Sequence, residues 1–229
     1  MNEGDPCMNA APKICVVDYG MGNRRSVEKA LEHLGAEAVI SSDHGAVMSA
    51  DGLVIPGVGA FPRAMRNLHQ LGLISLIRER VASMTPVLGI CLGMQLLFER
   101  SEEIEPSEGL GLIEGEVSRL RSGGRRVPHI GWNEVCFERP SALIAGLPDA
   151  GCAFYHVHSF VARPRHRDEV VGSTEYGERF ATIVAHERVL GVQFHPEKSS
   201  AHGLTLLENF VSMCARDRRR SSEPSRVHA

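Results

Sequence analysis

Cys91 stands in the stretch "PVLGICLGMQLLFE", flanked by Gly89 and Gly93, where one apolar run ends and a new periodic one begins. Gly-x-Cys-x-Gly between a strand-like and a helix-like segment is the nucleophile-elbow pattern with cysteine in place of serine. The glycines permit a tight turn that exposes the thiol, and the start of the following helix offers partial positive charge to a thiolate. A free cysteine is more often a small buried hydrophobe, so the turn alone does not make a nucleophile. It also needs a base, close in space rather than in sequence. "GVQFHPEKSS" supplies a candidate in His195, with Glu197 two residues on. In an extended segment that spacing turns both side chains to one side, where a carboxylate orients the imidazole and stabilises its cation. The chain has 11 histidines; His33, His44, His69, His186 and His202 lie in ordinary polar surroundings, and His158 is the second candidate base.

Acyl transfer also requires donors for a tetrahedral oxyanion. "VIPGVGAF" runs from an apolar strand end into Pro56, Gly57, Val58 and Gly59. Its glycines let the backbone N–H groups of Val58 and Gly59 turn toward a substrate, and the amide of Leu92, the residue after the nucleophile, completes the pair. The same freedom lets the Val58 peptide take more than one orientation, so the hole need not be permanently formed.

The elements that would position these groups alternate. "KICVVDYG", "AEAVIS", "DGLVIPG" and "TPVLGIC" read as strands, while "RRSVEKALEHLG", "AMRNLHQLGLISLIRERVA" and "GMQLLFERS" read as helices. That alternation predicts βαβ units around a mostly parallel sheet, an α/β fold. "GLGLIEGEVSRL", "GCAFYHVHSFVAR", "EVVGSTEY" and "FATIVAHERVLGVQFHP" then read as successive strands of a smaller antiparallel addition, followed by a closing helix "GLTLLENFVSMCARD". The expected organisation is a disordered extension over 1–12, one domain over 13–216 and a polar, Arg-rich disordered tail over 217–229.

Composition narrows the function. With 229 residues, 43% hydrophobic and 23% charged, the chain can bury one substantial core. A formal net charge of -3 disfavours a broadly basic nucleic-acid surface. No apolar run approaches the roughly 20 residues of a membrane span, and the first residues lack the pattern of a secretion signal. A cytoplasmic protein is expected. Six cysteines without C-x-x-C or finger spacing predict neither a disulfide framework nor a metal site. Two other readings remain at this point. Gly20 and Gly22 after "KICVVD", with Asp43 further on, suggest dinucleotide binding, but Arg25 occupies the third glycine position. A noncatalytic thiol-bearing protein on the same fold would have no need of His195 and Glu197.

"PGVGAF", "GICLGMQLLF" and "GVQFHPEKS", in that order, resemble the class I (triad) glutamine amidotransferases. More narrowly, "DYGMGNRRSV", "PGVGAFP", "GICLGMQLLFE", "GLGLIEGEV", "VPHIGWNEV", "FYHVHSF" and "GVQFHPEKSSAHGLTLLENF" resemble the glutaminase subunits of imidazole glycerol phosphate synthases, over about Lys13 to Arg216. Glutaminases of anthranilate, guanylate or cytidylate synthesis share the triad but not "DYGMGN" and "PHIGWN". The resemblance implies that Cys91 attacks the side-chain amide of glutamine, that His195 shuttles protons and that Glu197 orients it. It implies glutamine contacts from Gly57, Gly59, Gln95, Ser159 and Phe160, with no cofactor and no metal. It further implies a heterodimer in which ammonia passes to a (β/α)8-barrel cyclase that makes imidazole glycerol phosphate and aminoimidazole carboxamide ribotide for histidine synthesis. Asn23, Trp132, Asn133 and Lys198 are the expected partner face. A barrel needs roughly 250 residues of its own, so the cyclase is expected to be a separate polypeptide.

Overall fold

The computed structural model describes residues 10–222, with side chains as far as Arg216. Its first half alternates strands and helices: β1 (Lys13–Val17), α1 (Arg24–His33), β2 (Glu37–Ser41), α2 (His44–Ser49), β3 (Gly52–Ile55), α3 (Phe61–Gln70), α4 (Leu73–Ala82) and β4 (Val87–Ile90). The remainder is α5 (Leu92–Leu96), β5 (Phe98–Ser101), β6 (Ser107–Glu108), β7 (Ile113–Arg119), β8 (His129–Phe137), β9 (Cys152–His158), β10 (Phe160–Pro164), β11 (Val170–Glu175), β12 (Arg179–His186), β13 (Val189–Val192) and α6 (Ser200–Ser222).

A nine-stranded sheet runs in the order β2-β1-β3-β4-β13-β12-β11-β8-β9. From β2 to β13 neighbouring strands are parallel, and from β13 to β9 they are antiparallel. Parallel strands covered by helices on both faces read as continuous apolar runs, and alternate residues go to opposite layers. Cys15 and Val17 of β1, with Leu53 and Ile55 of β3, pack into the layer of α2, α3 and α4. Ile14, Val16 and Val54 pack into the opposite layer with Val27 and Leu31 of α1 and Leu207 and Phe210 of α6. Val27 and Leu31, one turn apart, are the buried stripe of α1.

Several expected elements differ. The antiparallel strands mostly extend the main sheet; the separate second sheet, β10-β7-β5-β6, is mixed, with β5 parallel to β7. The helix-like stretch through residues 64–82 breaks at Gly72, whose left-handed φ of 66° separates α3 from α4. "GMQLLFERS" keeps helical backbone only over α5, because Phe98 turns into β5 and fills the core. "GCAFYHVHSFVAR" is two strands in two sheets, parted at Ser159. α6 runs to Ser222, past the expected domain end at Arg216; residues 1–9 and 223–229, within the expected extension and tail, lie outside the described residues. Among the described residues no helix is long and apolar enough to cross a membrane.

Candidate active site

The carboxyl ends of β1, β3, β4 and β13, adjacent in the parallel half of the sheet, bring the expected chemistry together, as open α/β sheets do at this edge. Cys91 follows β4 directly and has φ 54° and ψ -109°, a conformation an L-residue holds at a cost of about 1–3 kcal/mol. Two backbone bonds fix it: Cys91 N–H donates to Val192 O at 2.7 Å, and Gln95 N–H donates to Cys91 O at 3.2 Å. Gly93 is required by contact, since a Cβ there would drive into the Ile55 carbonyl oxygen of the neighbouring strand. α5 has only 5 residues, so the support expected from a helix dipole reduces to the amides of a single turn.

His195 follows β13 and is 1% exposed. Its backbone is anchored by His195 N–H to Tyr155 O at 2.9 Å and by Ser199 Oγ donating to His195 O at 2.6 Å. Nδ1 lies 2.9 Å from Glu197 Oε1, as the spacing predicts. That bond assigns the ring a hydrogen on Nδ1 and leaves Nε2, on the side of Cys91, with no other partner. Burial on its own disfavours the imidazolium, but Cys91 and Glu197 outweigh it and raise His195 to about 10.

Two further polar side chains complete this constellation. Asn23 Nδ2 donates to Glu197 Oε1 at 3.1 Å, so this expected interface residue also fixes the carboxylate of the triad. Gln193, fully buried, receives Gln95 Nε2–H on its Oε1 at 3.1 Å and directs its own Nε2 at Cys91 Sγ, 3.8 Å away. Gln193 was not singled out from sequence. Its signal was its place two residues before His195 in the same extended stretch.

Beside Cys91 lies a cavity of about 290 Å³ lined by Val58, Gly59, Leu92, Gln95, Ser159 and Phe160, among others. The expected substrate contacts thus meet in one place, except Gly57, which is not part of the lining. Glu103, which the sequence reading passed over, also lines it. Burial raises the Glu103 carboxyl above its ordinary value, partly offset by Phe61 N–H donating to Oε2 at 2.7 Å. Gln95 donates to Phe160 O at 3.0 Å as well as to Gln193, so Oε1 is the atom it has left to offer a ligand.

The expected oxyanion donors are not both presented. Leu92 N–H donates to Gly57 O at 3.4 Å. In a trans peptide the C=O and the following N–H point in opposite directions, so the Val58 N–H is turned away from Leu92. The preceding peptide is clamped by Tyr19, buried beneath the loop, whose hydroxyl donates to Pro56 O.

Of the remaining expected interface residues, Trp132 is 55% exposed and packs edge-on to Tyr155, and Lys198 is exposed. Asn133 is half-buried and bonded to His129 and to Glu175 O. Among the described residues there is no group of three or more His, Cys, Asp or Glu arranged to hold a metal.

A buried Cys-His-Glu triad at the edge of a parallel sheet, beside a small cavity, is joined by a match of residues 15–214 to the family model for glutamine amidotransferase class-I, and the chain belongs to that family. Solved structures share the fold: a glutamine amidotransferase (TM-score 0.67, 24% identity, 87% of this chain and 98% of that one) and PurLQS from Thermotoga maritima (TM-score 0.70, 20% identity, 88% and 98%). Within the family the chain groups with imidazole glycerol phosphate synthase subunit HisH. It is 52% identical to that of Moorella thermoacetica over 197 residues, 86% of this chain and 93% of the relative. It is 50% identical to that of Aquifex aeolicus over 196 residues, 85% and 94%. No Rossmann-type reading survives this grouping, and the noncatalytic alternative leaves the triad without a purpose.

Proposed function

We propose that this chain is the glutaminase subunit of an imidazole glycerol phosphate synthase, hydrolysing glutamine to glutamate and delivering ammonia to a separate cyclase subunit. The observation that carries the reading is His195 Nε2, buried without a geometric hydrogen-bond partner, backed by Glu197 and interacting with a Cys91 that lines the Gln95–Phe160 cavity. Glutamine enters with its ammonium toward Glu103 and its side-chain amide toward Cys91. Sulfur attacks the amide carbon while the thiol proton resides on Nε2. The tetrahedral oxyanion forms, the C–N bond breaks, and Nε2–H protonates the departing nitrogen to give ammonia. Water then attacks the γ-glutamyl thioester, with Nε2 taking its proton and returning it to sulfur as glutamate leaves.

Ammonia released into water would be protonated and lost, so the product needs a sheltered route to its acceptor. Ile130 and Trp132 of β8 are 59% and 55% exposed, large apolar groups on the surface beside the site, and support docking of a partner through this face together with Asn23, Asn133 and Lys198. By the resemblance above, that partner is a (β/α)8-barrel cyclase and the pair a heterodimer. The Gly57 carbonyl bonded to Leu92 is read as a resting state in which the Leu92 N–H is occupied and the Val58 N–H is turned away, so the oxyanion lacks its donor pair. Docking of the cyclase with its nucleotide bound turns the peptide over, by binding the competent orientation better.

The test combines the chain with a separately purified cyclase and follows glutamate, ammonia-dependent formation of imidazole glycerol phosphate, and their ratio. Tight stoichiometry is expected. Glutamate release with no product in the presence of the cyclase would overturn the assignment to this synthase.

A further inference from the structure

β8 and β9 place three histidines on one buried face. His129 lies opposite His158, and Gly131 opposite His156, in the antiparallel register. His156 and His158, two residues apart on β9, point the same way. His129 stacks on His156 and on Tyr176, at centroid separations of 4.9 and 4.0 Å. The triad uses none of these rings.

Their hydrogen bonds can be assigned a direction, because both ends of the chain are backbone groups. Glu134 N–H must donate to Asn133 Oδ1, at 2.9 Å, which leaves Nδ2 to donate to Glu175 O at 3.0 Å and to His129 Nε2 at 3.3 Å. His129 Nε2 is therefore the acceptor and Nδ1 carries the hydrogen, which goes to His158 Nε2 at 3.1 Å. His158 in turn carries its hydrogen on Nδ1 and donates to Phe160 O at 3.0 Å. A carbonyl can only accept, so the far end closes consistently. Phe160 O is the same oxygen that holds Gln95 Nε2, and Gln95, His158 and Phe160 all line the cavity beside Cys91. Burial, with the neighbouring charge of Arg125 at His129, holds His129 down at about 4 and His158 down at about 3, so both rings are neutral at pH 7 as this assignment requires.

We propose that His129 and His158 are positioning residues of the glutamine site: a one-way chain of neutral imidazoles through which Asn133, at the edge of the partner face, fixes the Phe160 carbonyl and with it Gln95. The proposal rests on the glutaminase reading for its consequence but not for its geometry. Removing one link leaves a buried acceptor unsatisfied and frees Phe160 O to shift, which loosens ground-state and transition-state binding alike. Such a loss appears in KM rather than kcat.

Two measurements test it. In the wild-type chain, imidazole 15N spectra at pH 7 should show His129 and His158 neutral with the hydrogen on Nδ1. Hydrogen on Nε2 in either ring, or a charged ring, would overturn the chain. In the complex with cyclase and nucleotide, His129→Leu should raise the glutamine KM about tenfold, the effect of one lost buried hydrogen bond, with kcat within about twofold. His129→Gln, whose amide can accept from Asn133 and donate to His158, should recover most of that loss. An unchanged KM in His129→Leu, a fall in kcat instead, or no recovery in His129→Gln would refute the positioning role. If the wild-type complex turned over no glutamine, the functional reading would fall, while the ring assignment would still be decided by the spectra.

Discussion

The elbow at Cys91 and the loop at Val58 follow neighbouring strands, β4 and β3, yet they are held by opposite means. The elbow is fixed by backbone: Cys91 is tied to Val192 and Gln95, and Gly93 sits so close to Ile55 O that no side chain fits. The loop is pinned at Pro56 by Tyr19 but open beyond it, with Val58 42% exposed and Gly59 facing only the flexible end of Met21. The nucleophile, which must be in place for every turnover, is rigid. The donor proposed to stabilise charge only in the transition state is left free to turn. A site divided in this way can keep its triad assembled while its rate is governed elsewhere.

Breaking the rigid half should have the largest effect. Cys91→Ala should lower kcat by about 10⁴-fold or more with the fold intact, as removal of a covalent nucleophile does; glutamate production by that variant in the activated complex would sink the assignment. His195→Asn should be nearly as damaging. Glu197→Gln should be milder, because the amide oxygen can still accept from His195 Nδ1 and from Asn23 and so keep the ring in place, and a variant as dead as Cys91→Ala would argue that charge rather than orientation is what Glu197 supplies. Gly93→Ala should cost several kcal/mol, about 3 or more, by overpacking against immovable backbone, visible as a large drop in urea midpoint; a neutral outcome would mean that the elbow is not rigid. In the cavity, Glu103→Gln should raise the glutamine KM roughly tenfold at constant kcat through loss of a charge-assisted contact.

The histidines add a pH prediction with two arms. His195 is raised to about 10 from 6.5, so its stabilisation is complete below pH 6.5 and is lost as pH climbs toward 10. His129 and His158 are depressed to about 4 and about 3, so the unfolded chain takes up protons first and stability falls as pH drops below 6.5 toward those values. Conformational stability should therefore peak near pH 6.5, changing by about 1.4 kcal/mol per pH unit for each fully unbalanced proton. Urea midpoints at pH 5, 6.5 and 8.5 check it. A midpoint that rises steadily from acid to alkali would show that His195 is not held charged.

The chemistry was legible because it is written in short spacings. Gly-x-Cys-x-Gly fixed the elbow and His-x-Glu fixed the orienter, each within a single backbone conformation. Gln95, Ser159 and Phe160 came from resemblance, and they do line one cavity. What local pattern could not show depends on long-range pairing. Gln193 reads as one more strand residue until β13 is laid beside β4. Glu103 reads as one of several acidic loop residues until its loop folds back to Phe61. His129 and His158 become partners only through the β8–β9 register. The helix expected after Cys91 was cut short because the core took Phe98 for a strand, a tertiary choice that overrides the local period.

The central claim, a fixed triad behind a loop that must turn over, is tested most directly by glutaminase kcat in three states: the subunit alone, the complex with cyclase, and the complex with cyclase and nucleotide. Each oxyanion donor presented is worth about 10²–10³ in rate. The account predicts a rise of that order between the first state and the third, carried by kcat; equal kcat in all three would contradict it, leaving the triad in place and the loop without a role in control.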